Sequence, residues 1–171
     1  AIFPAALRSP LFPMLAIDAI VMTPVEAGPL LAELPGASIA FRTDASAVIA
    51  LPAALPRAWL VHEAQEVSPA EVLPLLATGT IDPRRTVLLE TDPPTLSTPT
   101  ADLRATETVS FDSTSPERLT LTVEAAAPGI LVLSEIYDPN WIATVDGVPT
   151  PIYPANHAFR AISIPAGSHV V

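Results

Sequence analysis

Three carboxylates lie close together in the sequence and could support acid–base chemistry. Glu135 and Asp138 are near neighbours, and Asp146 lies across an expected hairpin from them. Glycoside hydrolases use two carboxylates about 5–10 Å apart, so this set permits a hydrolase. The structural alternative is that Asp138-Pro139 initiates a turn and that Asp146-Gly147 forms a tight hairpin turn. Because carboxylate pairs arise freely in acidic chains, we expect no catalytic residue in this chain.

Aromatic side chains in the same part of the sequence could bind a sugar by stacking on it. Tyr137, Trp141 and Tyr153 are the candidate carbohydrate contacts, with Phe159 nearby. The alternative is that these rings form the hydrophobic core, where large aromatic side chains usually lie. Core packing is the expected role, above all for Trp141, and the exposure of the rings decides between the two interpretations.

The residues that other common active sites require are absent or poorly spaced. The chain has no cysteine, and its histidines, His62, His157 and His169, do not have the spacing of a metal-binding pair. Its 6 glycines form neither a phosphate-binding loop nor a nucleophile elbow. The sequence therefore predicts no metal and no cofactor.

Charge and hydropathy exclude several classes of partner. The formal net charge is −10, and all 8 basic residues are arginine. An acidic chain without a basic cluster is unsuited to nucleic acid or to an anionic membrane surface. The mean hydropathy of +0.45 is high, yet no apolar stretch approaches the ~20 residues that span a bilayer.

The first 92 residues predict a small mixed α/β region with two short helices. One helix is expected over residues 29–34, with Pro29 near its first turn. The second begins at Ser68 as N-cap, with Pro69 in the first position and Glu71 in the third, and runs to about Ala77. Short apolar runs predict strands over residues 19–22, 38–42, 47–51, 58–62 and 86–90.

Residues 93–103 are rich in proline and threonine and predict a linker. After it, residues 104–171 predict an antiparallel β-sandwich, because short strands recur about every ten residues with turn signals between them. Residues 130–133 are continuously apolar, which is typical of a central strand covered on both faces. The predicted fold class is α+β, mainly β. The start on Ala1 and the end on Val170-Val171 indicate a piece of a longer protein.

Several spaced segments together resemble the C-terminal region of the YfhO-like bacterial membrane protein family. The main one is residues 131–147, LVLSEIYDPNWIATVDG, followed by the PIYPAN segment and the Pro-Ala-Gly turn at 165–167. The ALPRAWLV segment at 54–61 extends the resemblance upstream. Asn140 departs from the family's glycine, and the turn is expected to survive because Asn tolerates a left-handed conformation. The matched turn and core residues include Pro139, Asn140, Asp146, Gly147, Asn156 and Gly167.

The resemblance implies a soluble extracytoplasmic domain of a polytopic protein similar to glycosyltransferases that use lipid-linked sugars. The resemblance also implies that some such proteins glycosylate cell-wall polymers, and that the catalytic carboxylate lies in the extracytoplasmic loops of the membrane part, outside this chain. The implied partners are the transmembrane part of the same protein and a cell-envelope glycan. The implied location is the extracytoplasmic face of the bacterial cell membrane, and a carbohydrate-binding β-sandwich module is the alternative function.

Overall fold

The computed structural model describes residues 7, 9–92, 96, 103, 105–115 and 117–171. The chain divides into two compact units, Ala1–Pro56 and Arg57–Val171. Both contain antiparallel sheets, and the described part of the chain as a whole has more strand than helix, so the predicted mainly-β α+β class is confirmed. Among the described residues, no helix is both long and apolar enough to cross a membrane.

The first unit is a three-stranded antiparallel sheet in the order β1-β3-β2, with one helix. Its elements are a 3-10 turn at Phe12–Leu15, β1 (Ala19–Met22), α1 (Pro24–Glu33), β2 (Ser38–Arg42) and β3 (Ala47–Ala50). The predicted hairpin of β2 and β3 is confirmed. The core of this unit is formed by apolar residues of α1 and β3, among them Ala27, Leu30, Ala47 and Ile49.

Helix α1 begins five residues earlier than predicted, at Pro24 rather than Pro29, so that prediction was wrong. Thr23 and Glu26 form a capping box, with the Thr23 hydroxyl donating to Glu26 Oε2 at 2.6 Å. This cap fixes the start of the helix, and Pro29 is accommodated inside it. Strand β1 is where it was expected, but its residues alternate between exposed and half-buried.

The second unit is a sandwich of a six-stranded and a three-stranded sheet, with a separate hairpin. The large sheet has the order β4-β9-β13-β12-β6-β5 and the small sheet the order β14-β8-β7, while β10 pairs with β11. The strands are β4 (Ala58–Val61), β5 (Glu63–Glu66), β6 (Thr86–Leu89), β7 (Thr108–Ser115), β8 (Arg118–Ala125), β9 (Gly129–Leu133), β10 (Ala143–Val145), β11 (Val148–Thr150), β12 (Ile152–Ala155), β13 (Phe159–Ile164) and β14 (Gly167–Val170).

Alternation along the strands separates the two faces of the large sheet. Leu131, Leu133 and Ile162 face the sandwich core, where they meet Leu121 and Val123 of β8. The residues between them point to the opposite face, where the rings of Trp59 and Phe159 pack edge to face with centroids 6.4 Å apart. All five residues of β9 are buried, which confirms the predicted central strand covered on both faces.

One pair of strands in the large sheet is parallel. Strands β5 and β6 run side by side in the same direction and are connected by helix α2 (Pro69–Ala77). The predicted cap of α2 is confirmed, because the Ser68 hydroxyl donates to Glu71 Oε2 at 2.5 Å. This hydrogen bond lowers the pKa of the Glu71 carboxyl. Val72 and Leu76 form the buried face of the helix.

The domain boundary in the structure differs from the predicted linker at residues 93–103. The units divide between Pro56 and Arg57, and strands from both sides of 93–103 share the large sheet. Composition indicated a break at the proline-rich segment, but strand pairing joins β4, β5 and β6 to the later strands. Most of residues 93–103 lie outside the described residues.

Candidate functional site

The Asp146-Gly147 hairpin adopts the predicted tight turn. Asp146 has φ 52° and Gly147 φ 79°, so both turn residues have the left-handed conformation that this turn requires. Asp146 also fastens the hairpin to β14: its Oδ2 lies 2.7 Å from His169 Nδ1, and its Oδ1 accepts the Val170 N–H at 2.9 Å. The hydrogen bond to His169 lowers the pKa of Asp146, and the same bond raises the pKa of His169.

Asn156 connects the turn between β12 and β13 to strand β6. It is 4% exposed and has φ 48°. Its backbone N–H donates to the Leu88 carbonyl at 2.8 Å, and its Oδ1 accepts the Leu88 N–H at 2.9 Å. This residue of the family-like pattern therefore continues the pairing of β12 with β6 through its side chain.

A carboxylate shared by two guanidinium groups lies beside the sandwich core. Glu135 accepts hydrogen bonds from Arg57 Nε at 2.6 Å and from Arg160 Nη2 at 3.3 Å. The Arg57 guanidinium lies over the Phe111 ring, 4.7 Å from its centroid. Arg160 is only 3% exposed, and burial lowers the pKa of its guanidinium. Two cations and one anion leave this cluster with one net positive charge.

Trp141 and Arg160 line a cavity of about 500 Å³ that opens between the two sheets and the β10–β11 hairpin. The Arg160 guanidinium lies over the Trp141 ring, 4.2 Å from its centroid, in cation–π geometry. The ring is half-buried, so Trp141 is neither fully in the core nor freely exposed. The rest of the lining is mainly apolar and includes Leu119, Leu121, Leu133, Ile142, Ile152, Ile162 and Val170.

The three candidate carbohydrate contacts do not form one flat platform. Trp141 lines the cavity together with Ile152, and Tyr153, the next residue along β12, points to the opposite face of the sheet. Tyr137 and Tyr153 are both half-buried, and neither lines this cavity. Because all three rings are half-buried, each has one part packed against the protein and another part open to a ligand, and the sugar contact stays a prediction.

The Asp138–Trp141 segment forms a turn. The Trp141 N–H donates to the Asp138 carbonyl at 3.1 Å, and Asp138 Oδ1 accepts the backbone N–H of Asn140 at 2.8 Å. Pro139 occupies the exposed second position, as expected of a turn that begins with Asp-Pro. The turn is present with Asn140, as expected, but it does not use the left-handed conformation that Asn tolerates, because the φ of Asn140 is not positive and the Asp138 side chain holds the turn.

Two of the histidines have carboxylate partners. His62 Nε2 lies 3.0 Å from Glu107 Oε2, and both side chains are largely buried. Glu107 also accepts the Ala126 N–H at 2.9 Å, so this pair holds the β8–β9 connection in place. Among the described residues, no three His, Cys, Asp or Glu side chains lie close enough to hold a metal ion.

No pattern in the sequence predicts Arg57 and Arg160 as site residues. Arg57 and Glu135 are 78 positions apart, and Arg160 is 25 positions from Glu135, so no local pattern connects them. Only the pairing of β9 with β4 and β13 brings the three side chains together. Neither a scan against protein-family models nor searches of curated proteins and of solved structures returned a match.

Proposed function

We propose that this chain is a non-catalytic, extracytoplasmic domain of a polytopic bacterial membrane protein that resembles glycosyltransferases using lipid-linked sugars. The observation that carries the proposal is the position of Asn156. This residue of the YfhO-like pattern is buried and bonds the Leu88 backbone through both its N–H and its Oδ1. Asp146 and Gly147 likewise form a turn, so the matched residues serve the architecture of the domain.

The carboxylates that could have formed a hydrolase site have structural partners, which supports a non-catalytic role. Glu135 is held by two arginines, and Asp138 accepts hydrogen bonds from the backbone and side chain of Asn140. Asp146 is bonded to His169 and Val170. In the proposed protein, catalysis belongs to the transmembrane part, which is this domain's partner.

Single-cysteine labelling in the full-length protein tests the proposed location. The chain has no cysteine of its own, so a cysteine introduced at Val25, which is 83% exposed, is a specific probe in a parent freed of other cysteines. We expect a membrane-impermeant maleimide to label Val25→Cys in intact, wall-stripped cells. The buried Val132→Cys is the matched control and should react only after denaturation.

Two outcomes would contradict the proposal. Labelling of Val25→Cys only after the cells are lysed would place the domain on the cytoplasmic side. A parent reading frame without multiple apolar segments of about 20 residues would exclude a polytopic protein altogether.

Carbohydrate binding is a second candidate, and the position of Trp141 favours it. Its half-buried ring lies beside Asn140 at the cavity, and a ring with neighbouring polar groups suits a sugar. Calorimetric titration with cell-wall polysaccharide tests this function. We expect Trp141→Ala to abolish the binding and Tyr153→Ala, on the opposite face of the sheet, to retain it. Equal binding by both variants would exclude Trp141 as the contact.

A further inference from the structure

We propose that the cavity lined by Trp141 and Arg160 binds a small amphiphile that carries one oxyanion. The anion would lie on the Arg160 guanidinium, and the apolar part would lie along the core-facing residues of β8, β9 and β12. A volume of about 500 Å³ is within the range of small-molecule sites, which are mostly apolar with a few convergent polar groups. The site does not depend on attachment to a membrane protein.

Arg160 is the polar group on which this cavity converges. An arginine side chain has five N–H donors. Within the described part of the chain, Arg160 donates one hydrogen bond, to Glu135 Oε2 at 3.3 Å. Its other donors have no protein partner among the described residues and are not sealed inside the protein, so they open to the cavity that Arg160 lines. An oxyanion in the cavity would accept hydrogen bonds from them in the bidentate geometry that guanidinium favours.

The local charge also favours an anion. Glu135 neutralises only one of the two arginines that it contacts, Arg57 and Arg160. A buried cation without full compensation is costly, and an anionic ligand reduces that cost. Glu117 and Arg118 at the cavity have opposite charges and cancel. The chain as a whole carries a net charge of −10, so non-specific binding would favour cationic ligands over anionic ones. A preference of the protein for anionic ligands would therefore point to a local site such as this cavity.

The apolar part of the ligand is indicated by the residues at the cavity mouth. Ile142 is 89% exposed and Val170 is 51% exposed, and both line the cavity. Both border the mainly apolar lining, so an alkyl group that extends from the cavity would contact them. A purely polar ligand would leave both in water, whereas an alkyl chain would cover them.

Calorimetric titration of the chain with its C-terminal carboxyl amidated, so that Val171 brings no negative charge to the cavity, tests the proposal with four decyl amphiphiles below their micelle concentrations. Decanoate and decyl phosphate are the anionic probes, decyl glucoside is the neutral probe and decyltrimethylammonium is the cationic probe. We expect at least one of the two anionic probes to bind about tenfold or more tightly than the neutral and the cationic probe, since hydrogen bonds between charged groups are stronger than those between neutral groups. Tighter binding of decanoate would indicate a carboxylate ligand, and tighter binding of decyl phosphate would indicate a phosphate ligand.

Two sets of variants locate the binding. Arg160→Met should weaken anion binding about 10- to 100-fold and leave decyl glucoside binding unchanged. Because Arg160 is buried, this variant could also unfold the site, so a surface pair provides an independent test. Ile142→Asp, at the mouth, should weaken anion binding about tenfold or more, since it places a negative charge there and removes an apolar contact. Ile136→Asp is the matched control, because Ile136 is 79% exposed and does not line the cavity.

Three results would overturn the proposal. One is the absence of binding by both anions. Another is equal affinity for decyl glucoside and the anions, which would favour a sugar ligand instead. The third is equal weakening by Ile136→Asp and Ile142→Asp. None of these results bears on the labelling of Val25→Cys, so the two proposals fail or succeed separately.

Discussion

Replacing Asn156 should destabilise the second unit by two separable contributions. Without its side chain, the Leu88 N–H is left buried and without an acceptor, since Leu88 is 0% exposed. An unsatisfied buried donor costs about 1–3 kcal/mol. Alanine at φ 48° adds a left-handed strain of about 1–2 kcal/mol that glycine avoids. We therefore expect a loss of about 1–3 kcal/mol for Asn156→Gly and about 2–5 kcal/mol for Asn156→Ala.

For both variants we expect the lower half of the predicted loss in unfolding free energy, because the substitution also removes the Asn156 Nδ2 amide group. This group is buried and has no hydrogen-bond partner among the described residues. Its deletion recovers part of the free energy that the loss of the Leu88 hydrogen bond costs.

Urea denaturation followed by tryptophan fluorescence measures the free energy of unfolding of the second unit, to which Asn156 belongs. Both tryptophans, Trp59 and Trp141, lie in the second unit, so their signal reports on its unfolding. His157→Asn is the control, since His157 is exposed and has a positive φ that asparagine also tolerates; it should change the free energy of unfolding by less than about 0.5 kcal/mol. A glycine variant as stable as the wild type would refute the role of the Leu88 hydrogen bond. An alanine variant no less stable than the glycine variant would refute the strain.

Three further predictions concern the hairpin and the first helix. The raised pKa of His169 means that its contribution to stability is fully present below pH 6.5, its ordinary value, and is lost as the pH rises through the raised value. The urea midpoint should therefore fall more steeply above pH 6.5 in the wild type than in His169→Gln, and parallel curves would contradict this. Gly147→Ala should cost about 1 kcal/mol, because only the positive φ opposes it and the space around Gly147 is open. Gly28→Ala, inside α1 and also in open space, should stabilise the first unit by about 0.5–1 kcal/mol, because alanine is the better helix former. Thermal denaturation followed by circular dichroism measures both substitutions, and a change of the unfolding free energy in the same direction for both would refute the argument.

Local signals in the sequence predicted the elements whose structure depends on neighbouring residues. The Ser68–Glu71 cap, the Asp146-Gly147 turn and the buried strand at 130–133 were all predicted, because each depends on a few consecutive side chains. The predicted start of helix α1 at Pro29 is too late, since the start signal is the capping box formed by Thr23 and Glu26 and Pro29 lies inside the helix. Proline inside a short helix costs less when a good cap fixes its beginning.

The candidate site could not be predicted, because its members are brought together only by strand pairing. Trp141 was predicted as a candidate contact because it is aromatic, whereas no local pattern marks Arg160. The burial of Arg160 follows from its position on β13, between β9 and β12. The two tyrosines were grouped with Trp141 by their proximity in the sequence. Side-chain alternation along β12 separates Tyr153 from it, and this depends on a register that the sequence did not reveal.

The position of β4 at the edge of the large sheet has a consequence for synthesis of the chain. Ala58–Val61 is buried at every residue, yet its one partner strand in the sheet is β9, which ends at Leu133. A ribosome that adds about 5–20 residues per second needs several seconds to make the intervening residues. During that time the apolar AWLV segment has emerged without its pairing strand, so it is open to edge-to-edge association until β9 is made.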